Sequence, residues 1–261
     1  MNDYLVLLYE IADGIAKVNI NRPESFNAIN AQVLVETTRL FKQLADDPQV
    51  KAVILGGGNE KFYAAGADIR EMIDYSPDEA EHFISLVHDA MNAVYNLRKP
   101  TIAAISGLAL GGGLELTLSC DLRIAADNAV FGLPEINLGV HPGGGGTQIL
   151  PKLIGAARAK ELVFLGEMID ARTALNIGLV NRVVPFPDLM PEAQKIARKL
   201  CRKPPVALEL AKELINCSMD LERDRGLEKE KYGFSSLFAT KDQKEGMKAF
   251  MENRRAVFAG S

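Results

Sequence analysis

Cysteine is scarce in this chain of 261 residues. Its three cysteines are Cys120, Cys201 and Cys217, and no two of them form a CxxC pair. An odd number without that spacing argues against both a disulfide framework and a thiolate zinc site. We therefore expect free thiols, a reducing compartment and no bound metal.

Long apolar runs and a targeting segment are also missing. No stretch approaches the ~18 apolar residues of a membrane span, and the start, Met-Asn-Asp-Tyr, is not a basic region followed by an apolar one. A net charge of −4 argues against nucleic acid or an anionic membrane as the main partner. These features predict a soluble cytoplasmic protein, while a matrix location after removal of a transit peptide stays open.

Several catalytic and cofactor signatures are missing as well. The chain contains no GxxxxGK[ST], no GxGxxG, no GxSxG and no HExxH, which argues against the phosphate loop, dinucleotide fold, hydrolase and metalloprotease that these motifs indicate. His82 and His88 are six positions apart on a predicted helix, so they cannot share a metal. We interpret both as solvent-exposed surface histidines.

Glycine is present in an ordinary amount but is concentrated in one region. Of 22 glycines, 14 lie between Gly56 and Gly146. Their neighbours are mostly Ala, Leu, Ile and Val, which excludes a flexible linker. Glycine here is therefore expected to permit close backbone approach or unusual φ angles.

The secondary-structure pattern changes along the chain. Strands over 4–10 and 15–21, joined by a turn at Asp13-Gly14, begin an alternation of strands and helices that continues to about residue 185. Four helices follow, predicted over 187–202, 205–219, 221–238 and 241–258. The pattern predicts a mixed α/β core followed by a helical C-terminal segment.

Three segments of small residues and glycine could form a site, namely 62–69, 106–116 and 131–147. The second contains a strand, a glycine turn and a helix, whose first N–H groups have no helical partner. Two such N–H groups could form an oxyanion hole. Glu115 and Glu135 would flank it and suit acid–base chemistry beside a carbonyl. Structural roles stay open: glutamate stabilises a first helical turn, glycine permits tight packing, and Asp68 could be an N-cap.

These segments resemble the enoyl-CoA hydratase/isomerase (crotonase) superfamily. The resemblance rests on five runs in order: Asn21-Arg22-Pro23, Ala-Ala-Gly-Ala-Asp-Ile, Ala-Leu-Gly-Gly-Gly-Leu-Glu-Leu, Phe-Gly-Leu-Pro-Glu and Pro-Gly-Gly-Gly-Gly-Thr-Gln. It implies an α/β fold, a crotonase-like spiral of ββα units. Residues 1–198 would form the core with the acyl-CoA site. Residues 199–261 would form a helical trimerisation segment, in a homo-hexamer built as a dimer of trimers.

The resemblance also implies a reaction and its residues. The N–H groups of Ala67 and Gly112 would hold the thioester oxygen, and Glu115 and Glu135 would add water to a trans-2-enoyl-CoA. The resemblance to hydratases of short-chain enoyl-CoA implies a short acyl chain. No cofactor is implied beyond the CoA of the substrate. The implied substrate-binding residues are Phe26, Ala28, Ala64, Ala65, Gly66, Asp68, Ile69, Arg70, Leu110, Gly111, Pro134 and Gly143. Arg22 and Arg254 are candidates for contacts with CoA phosphates.

Other members of the superfamily remain alternatives. These are an enoyl-CoA isomerase, a hydratase for a branched or cyclic enoyl-CoA, and a non-catalytic RNA-binding or scaffold relative. Two glutamates favour the hydratase, because one carboxylate suffices for isomerisation. The chain departs from the usual pattern at His141, Gly144 and Ile149, so the acyl-chain preference and the role of His141 stay open.

Overall fold

The computed structural model describes residues 4–261. Ten strands occur in this range: β1 (Leu7–Ala12), β2 (Ile15–Ile20), β3 (Ala52–Gly56), β4 (Phe62–Ala64), β5 (Thr101–Ile105), β6 (Leu108–Leu110), β7 (Leu122–Ala126), β8 (Val130–Gly132), β9 (Met168–Asp170) and β10 (Arg182–Val184). The same range contains eleven α-helices: α1 (Ala31–Asp46), α2 (Ile69–Met72), α3 (Pro77–Tyr95), α4 (Gly112–Leu118), α5 (Gly146–Ile154), α6 (Ala156–Leu165), α7 (Ala171–Asn176), α8 (Leu189–Leu200), α9 (Pro205–Cys217), α10 (Arg223–Leu237) and α11 (Lys241–Met251).

The strands form two sheets. The larger has the order β1-β2-β3-β5-β7-β10 and is parallel except for β1. The smaller has the order β4-β6-β8-β9, with β9 antiparallel. Three consecutive pairs of strands share one arrangement: β3–β4, β5–β6 and β7–β8. In each pair the first strand belongs to the larger sheet and the second to the smaller one. This repetition is the spiral of ββα units that the resemblance implied.

Helices cover both faces of the larger sheet. The main core packs α1, α3 and α4 against one face. On the other face, Leu189, Ala193 and Ala197 of α8 pack against Ile54 and Ile102. Parallel strands buried on both faces are expected to be almost wholly apolar, as β3 and β5 are.

The first hairpin confirms the predicted turn. Ala12 lies opposite Ile15, and the two turn residues have positive φ angles of 53° and 79° at Asp13 and Gly14, as a two-residue type I′ turn requires. Strand β1 begins at Leu7 rather than at residue 4. The two residues before β1, Leu5 and Val6, donate their N–H groups to the carboxylate of Glu36 at 2.8 and 3.0 Å. These N–H groups therefore bond to a side chain and not to a neighbouring strand.

The C-terminal helices follow the prediction except at the last one. The prediction of a helix over 241–258 is wrong, because α11 ends at Met251 and Asn253 reverses the chain with a φ of 52°. The tail then folds back, and the Ala259 and Gly260 amides donate to the buried carboxylate of Asp242. In residues 4–261, no helix has the length and apolar character to cross a membrane.

Candidate active site

Two backbone segments meet at one edge of the smaller sheet. Strands β4 and β6 are parallel neighbours, so the segments that follow them, Gly66-Ala67 and Gly111-Gly112, lie side by side. A Cβ built on Gly112 would lie 4.0 Å from the Ala67 nitrogen. The isolated bridge from Ile29 uses the Gly66 carbonyl and the Asp68 amide. It leaves the Ala67 N–H, among the described residues, without an acceptor. Ala67 and Gly112, predicted as the oxyanion donors, are therefore brought together.

Glycine is required where these segments touch. Gly111 has a φ of 49°, which side-chain-bearing residues rarely adopt. A Cβ on Gly113 would lie 2.2 Å from the Ala64 carbonyl oxygen. Helix α4 can therefore start directly against β4 only because these positions carry no side chain.

Glu115 lies one turn into α4 and is almost completely buried. Its Oε1 atom accepts two backbone N–H groups, from Gly144 and Gly146, each at 2.8 Å. Burial raises the pKa of this carboxyl group, and the two N–H donors partly oppose that rise. The glycine run Gly143–Gly146 thus holds one oxygen of Glu115, and Oε2 has no backbone donor of this kind.

Glu135 lies at the start of a 3₁₀ helix, Pro134–Leu138. Its Oε1 atom lies 3.0 Å from the position that a Cβ on Gly111 would occupy. The carboxyl group is therefore next to the Gly111-Gly112 segment. Its Oε2 atom is buried without a hydrogen-bond partner in the described chain. Burial, reinforced by the nearby charge of Glu115, raises the pKa of Glu135 to about 7. A carboxyl group with this pKa is partly protonated at neutral pH and can donate a proton.

Most of the predicted substrate-binding residues lie on the strands and turns around these groups. Phe26 is exposed, stacks edge-on against Phe62 and accepts the Ala65 amide at 3.1 Å. The remaining members of that set lie on three stretches of chain: Ala28, Ala64, Ala65, Gly66, Asp68, Ile69 and Arg70 beside the Ala67 turn, Leu110, Gly111 and Pro134 beside the Gly112 turn, and Gly143 in the glycine run.

Asp68 has a different role from the N-cap expected for it. It occupies the N-cap position of α2, but its side chain makes no capping hydrogen bond. It instead forms ion pairs with Arg22 at 3.1 Å and Arg70 at 3.2 Å. Arg22 also donates to the carbonyl of Ala28 at 2.5 Å. This partly buried arginine therefore fixes the segment that leads to the site.

The other basic candidate is engaged near the C-terminus. Arg254 forms paired hydrogen bonds with Glu245 at 2.7 and 2.8 Å. It also bonds Glu252 at 2.7 Å. These bonds fasten the folded-back tail to α11.

One residue near the site was not recognised from the sequence. His88 is exposed, as the sequence predicted, but its Nε2 atom lies 2.8 Å from the Gly143 carbonyl oxygen. The residues lie 55 positions apart, so no local pattern indicates the contact. Within residues 4–261, no three His, Cys, Asp or Glu side chains gather closely enough to hold a metal ion.

The chain is similar to known proteins over nearly its whole length. Residues 10–261 match the family model described as enoyl-CoA hydratase/isomerase. The chain is 44% identical over 255 residues to a crotonyl-CoA hydratase from Syntrophomonas wolfei, covering 98% of each. It is 45% identical over 241 residues to a short-chain-enoyl-CoA hydratase from Clostridium acetobutylicum, covering 92% of each.

Solved structures agree with the sequence relatives. The enoyl-CoA hydratase of Bacillus anthracis superposes with a TM-score of 0.95 at 39% identity, over 98% of this chain and 100% of that one. An enoyl-CoA hydratase subunit from Geobacillus kaustophilus also gives a TM-score of 0.95 at 39% identity, over 100% of both chains. The chain belongs to the enoyl-CoA hydratase/isomerase family.

Proposed function

We propose that this protein is an enoyl-CoA hydratase that adds water across the C2=C3 bond of a short-chain trans-2-enoyl-CoA to give a 3-hydroxyacyl-CoA. The observation that carries the proposal is a buried glutamate and a half-buried one, differently hydrogen-bonded, beside two neighbouring backbone amides. The names of the relatives from Syntrophomonas and Clostridium support the same reaction and a short acyl chain.

The two amides would stabilise the charge that develops during the reaction. Attack at C3 pushes electrons onto the thioester oxygen and forms an enolate. The N–H groups of Ala67 and Gly112 would donate to that oxygen. Loss of one such donor typically raises a barrier by ~2.7–4 kcal/mol.

The two glutamates would handle the protons. Glu115, as the carboxylate, takes a proton from water while the water oxygen bonds to C3. Glu135, in its protonated form, gives a proton to C2, and the enolate collapses to the thioester. Its pKa of about 7 supports the acid role, because the proton is both present and transferable near neutral pH. The close pair is expected to titrate as a unit.

The presence of two glutamates, Glu115 and Glu135, fits hydration better than isomerisation. Moving a double bond transfers one proton between two carbons, which one carboxylate can do. Hydration must remove a proton from water and deliver one to C2. A second buried glutamate with one oxygen fixed by two amides suits the positioning of a water molecule.

The substrate would supply the only coenzyme. We propose that CoA lies along Phe26 and Ala28, with its adenine near the Ala64–Gly66 backbone and its thioester end near Ala67. Polarisation by amides and proton transfer by carboxyl groups need no further cofactor. We place the protein in the cytoplasm.

The C-terminal segment would build the assembly. We propose that residues 1–198 form the catalytic core and 199–261 an oligomerisation segment, in a homo-hexamer made of two trimers. Exposed large apolar side chains support this proposal, since monomers seldom leave so many uncovered. They include Tyr232, Phe234, Met247, Phe250, Met251 and Val257 near the C-terminus, and Ile136, Leu138, Phe164, Leu165 and Met168 on the core.

Substitution of each glutamate tests the chemistry. We expect Glu115→Gln and Glu135→Gln each to reduce the hydration of crotonyl-CoA at least ~100-fold, because each removes one acid–base group. The loss of the enoyl-thioester absorbance measures the rate. Exposed Glu60, replaced by Gln, serves as the matched control and should retain full activity. Near-normal activity in either glutamate variant would refute its assignment.

A further inference from the structure

The glycine run that holds Glu115 is bonded on its other side to His88. The carbonyl of Gly143 and the amide of Gly144 belong to one planar peptide group. That amide donates to Glu115 at 2.8 Å, and the carbonyl oxygen lies 2.8 Å from His88 Nε2. A carbonyl oxygen only accepts, so Nε2 carries the hydrogen. A single peptide group therefore connects His88 with Glu115.

The run needs such a support. Four consecutive glycines have more conformational freedom than any other tetrapeptide backbone, and Gly145 has a φ of 104°. Residues of α3 lie against the run: a Cβ on Gly143 would come within 2.6 Å of Ile84 Cδ1. Helix α3 is itself fixed at its start by a capping box between Ser76 and Glu79.

The other histidine of the region cannot do the same. His141 Nδ1 bonds the carbonyl of Pro142, its own neighbour, at 2.9 Å. That contact is local and ties the run to no other element. The bond from His88 crosses from α3 to the run.

We infer that His88 is a positioning residue for hydration, which holds the Gly143–Gly144 peptide so that its amide keeps the Glu115 carboxylate in place for the attacking water. The inference rests on the proposed role of Glu115. Hydrogen bonds in series polarise one another, so the bond to the carbonyl also strengthens the one from the amide. His88 acts through this peptide and needs no contact with the substrate.

A series at position 88 tests the inference. The amide nitrogen of Gln reaches about as far as Nε2, whereas the shorter Asn does not. We expect His88→Leu and His88→Asn to lower kcat for crotonyl-CoA about fivefold to tenfold, the range of one hydrogen bond. We expect KM to change less than about twofold, because the thioester donors are untouched. His88→Gln should keep kcat within about twofold of the wild type.

The controls separate positioning from stability and from the proposed chemistry. His82→Leu replaces a histidine of the same helix that has no partner in the described chain, and it should leave kcat and KM unchanged. The comparison of Gln with Asn remains decisive if His88→Leu folds poorly. The inference is overturned if His88→Leu and His88→Asn keep wild-type kcat, if Gln is no better than Asn, or if KM alone rises. Glu115→Gln is measured in parallel, since an active Glu115→Gln would refute the role of Glu115 itself.

Discussion

Glu115 and Glu135 are the same amino acid in two different environments. Two amides bond one oxygen of Glu115, which favours its ionised form, whereas Oε2 of Glu135 is buried without a partner. Burial raises the pKa of both carboxyl groups, to about 7 for Glu135, whereas the two amide donors oppose the rise for Glu115. The backbone around each carboxyl group therefore separates a proposed base from a proposed acid.

The raised pKa of Glu135 predicts a pH-dependent cost in stability. A glutamate has a pKa near 4.5 when unfolded, so the folded protein binds the extra proton between about pH 4.5 and 7. The contribution to stability is complete below pH 4.5 and is lost as the pH rises through 7. We expect Glu135→Gln to be about 1–2 kcal/mol more stable than the wild type at pH 8, after screening by solvent.

Denaturant unfolding at equal protein concentration checks this expectation. The difference between Glu135→Gln and the wild type should be smaller at pH 5 than at pH 8, and it should approach zero only below pH 4.5, where Glu135 is neutral in both the folded and the unfolded state. A difference that is the same at pH 5 and pH 8 would show that the ionisation of Glu135 is not its source.

At the scale of elements, the site depends on the start of α4 against β4. The strand order places β4 beside β6, and the turn after each strand contributes one amide. Gly113 permits the contact, since its missing Cβ would lie 2.2 Å from the Ala64 carbonyl oxygen. The spacing of the Ala67 and Gly112 amides is thus set by the packing of a helix on a strand.

Gly113→Ala tests this packing. The added methyl group must push α4 away from β4, and we expect a loss of about 1–3 kcal/mol of stability, as for other overpacked cores. We also expect kcat for crotonyl-CoA to fall more than about tenfold, because the two amides separate.

Gly226→Ala is the matched control for that variant. A Cβ at Gly226, in the first turn of α10, meets nothing within 4 Å. This change should keep full activity and stabilise the helix by up to about 1 kcal/mol. Wild-type stability and kcat in Gly113→Ala would contradict the dependence of the site on this contact.

At the scale of the whole molecule, the C-terminal segment is fixed by few buried contacts of its own. The described part of α9 contains no fully buried residue, and Lys212 ties this helix to Asp121 of the core at 3.0 Å. Beyond it, large apolar side chains of α10 and α11 face outward. A second copy of the chain would cover them and stabilise the segment.

Charged substitutions test the proposed assembly. We expect the double variant Phe234→Glu with Phe250→Glu to dissociate the oligomer, because two charges would be buried at an apolar interface. Size-exclusion chromatography with light scattering measures the mass. Val35→Glu, an exposed apolar residue of α1, should keep the wild-type mass. A monomeric wild-type protein would refute the hexamer.

The sequence by itself determined the features that depend on neighbouring residues. The turn at Asp13-Gly14, the capping box at Ser76 and the 3₁₀ start at Pro134 were predictable because their hydrogen bonds span only a few positions. The three-residue strands β4 and β9 were not predicted, because so short a segment has no periodicity and depends on its neighbours in the sheet.

The tertiary structure decided the features that depend on contacts between residues far apart in the sequence. The end of α11 at Met251 depends on a tail that folds back onto Asp242, and the predicted cap at Asp68 was replaced by two arginine partners. The resemblance pointed to Glu115 and Glu135, but their different environments arise from contacts 20 or more positions away. The support from His88 to Gly143 spans 55 positions. Burial and long-range hydrogen bonding exist only after folding, so no local pattern in the chain could reveal them.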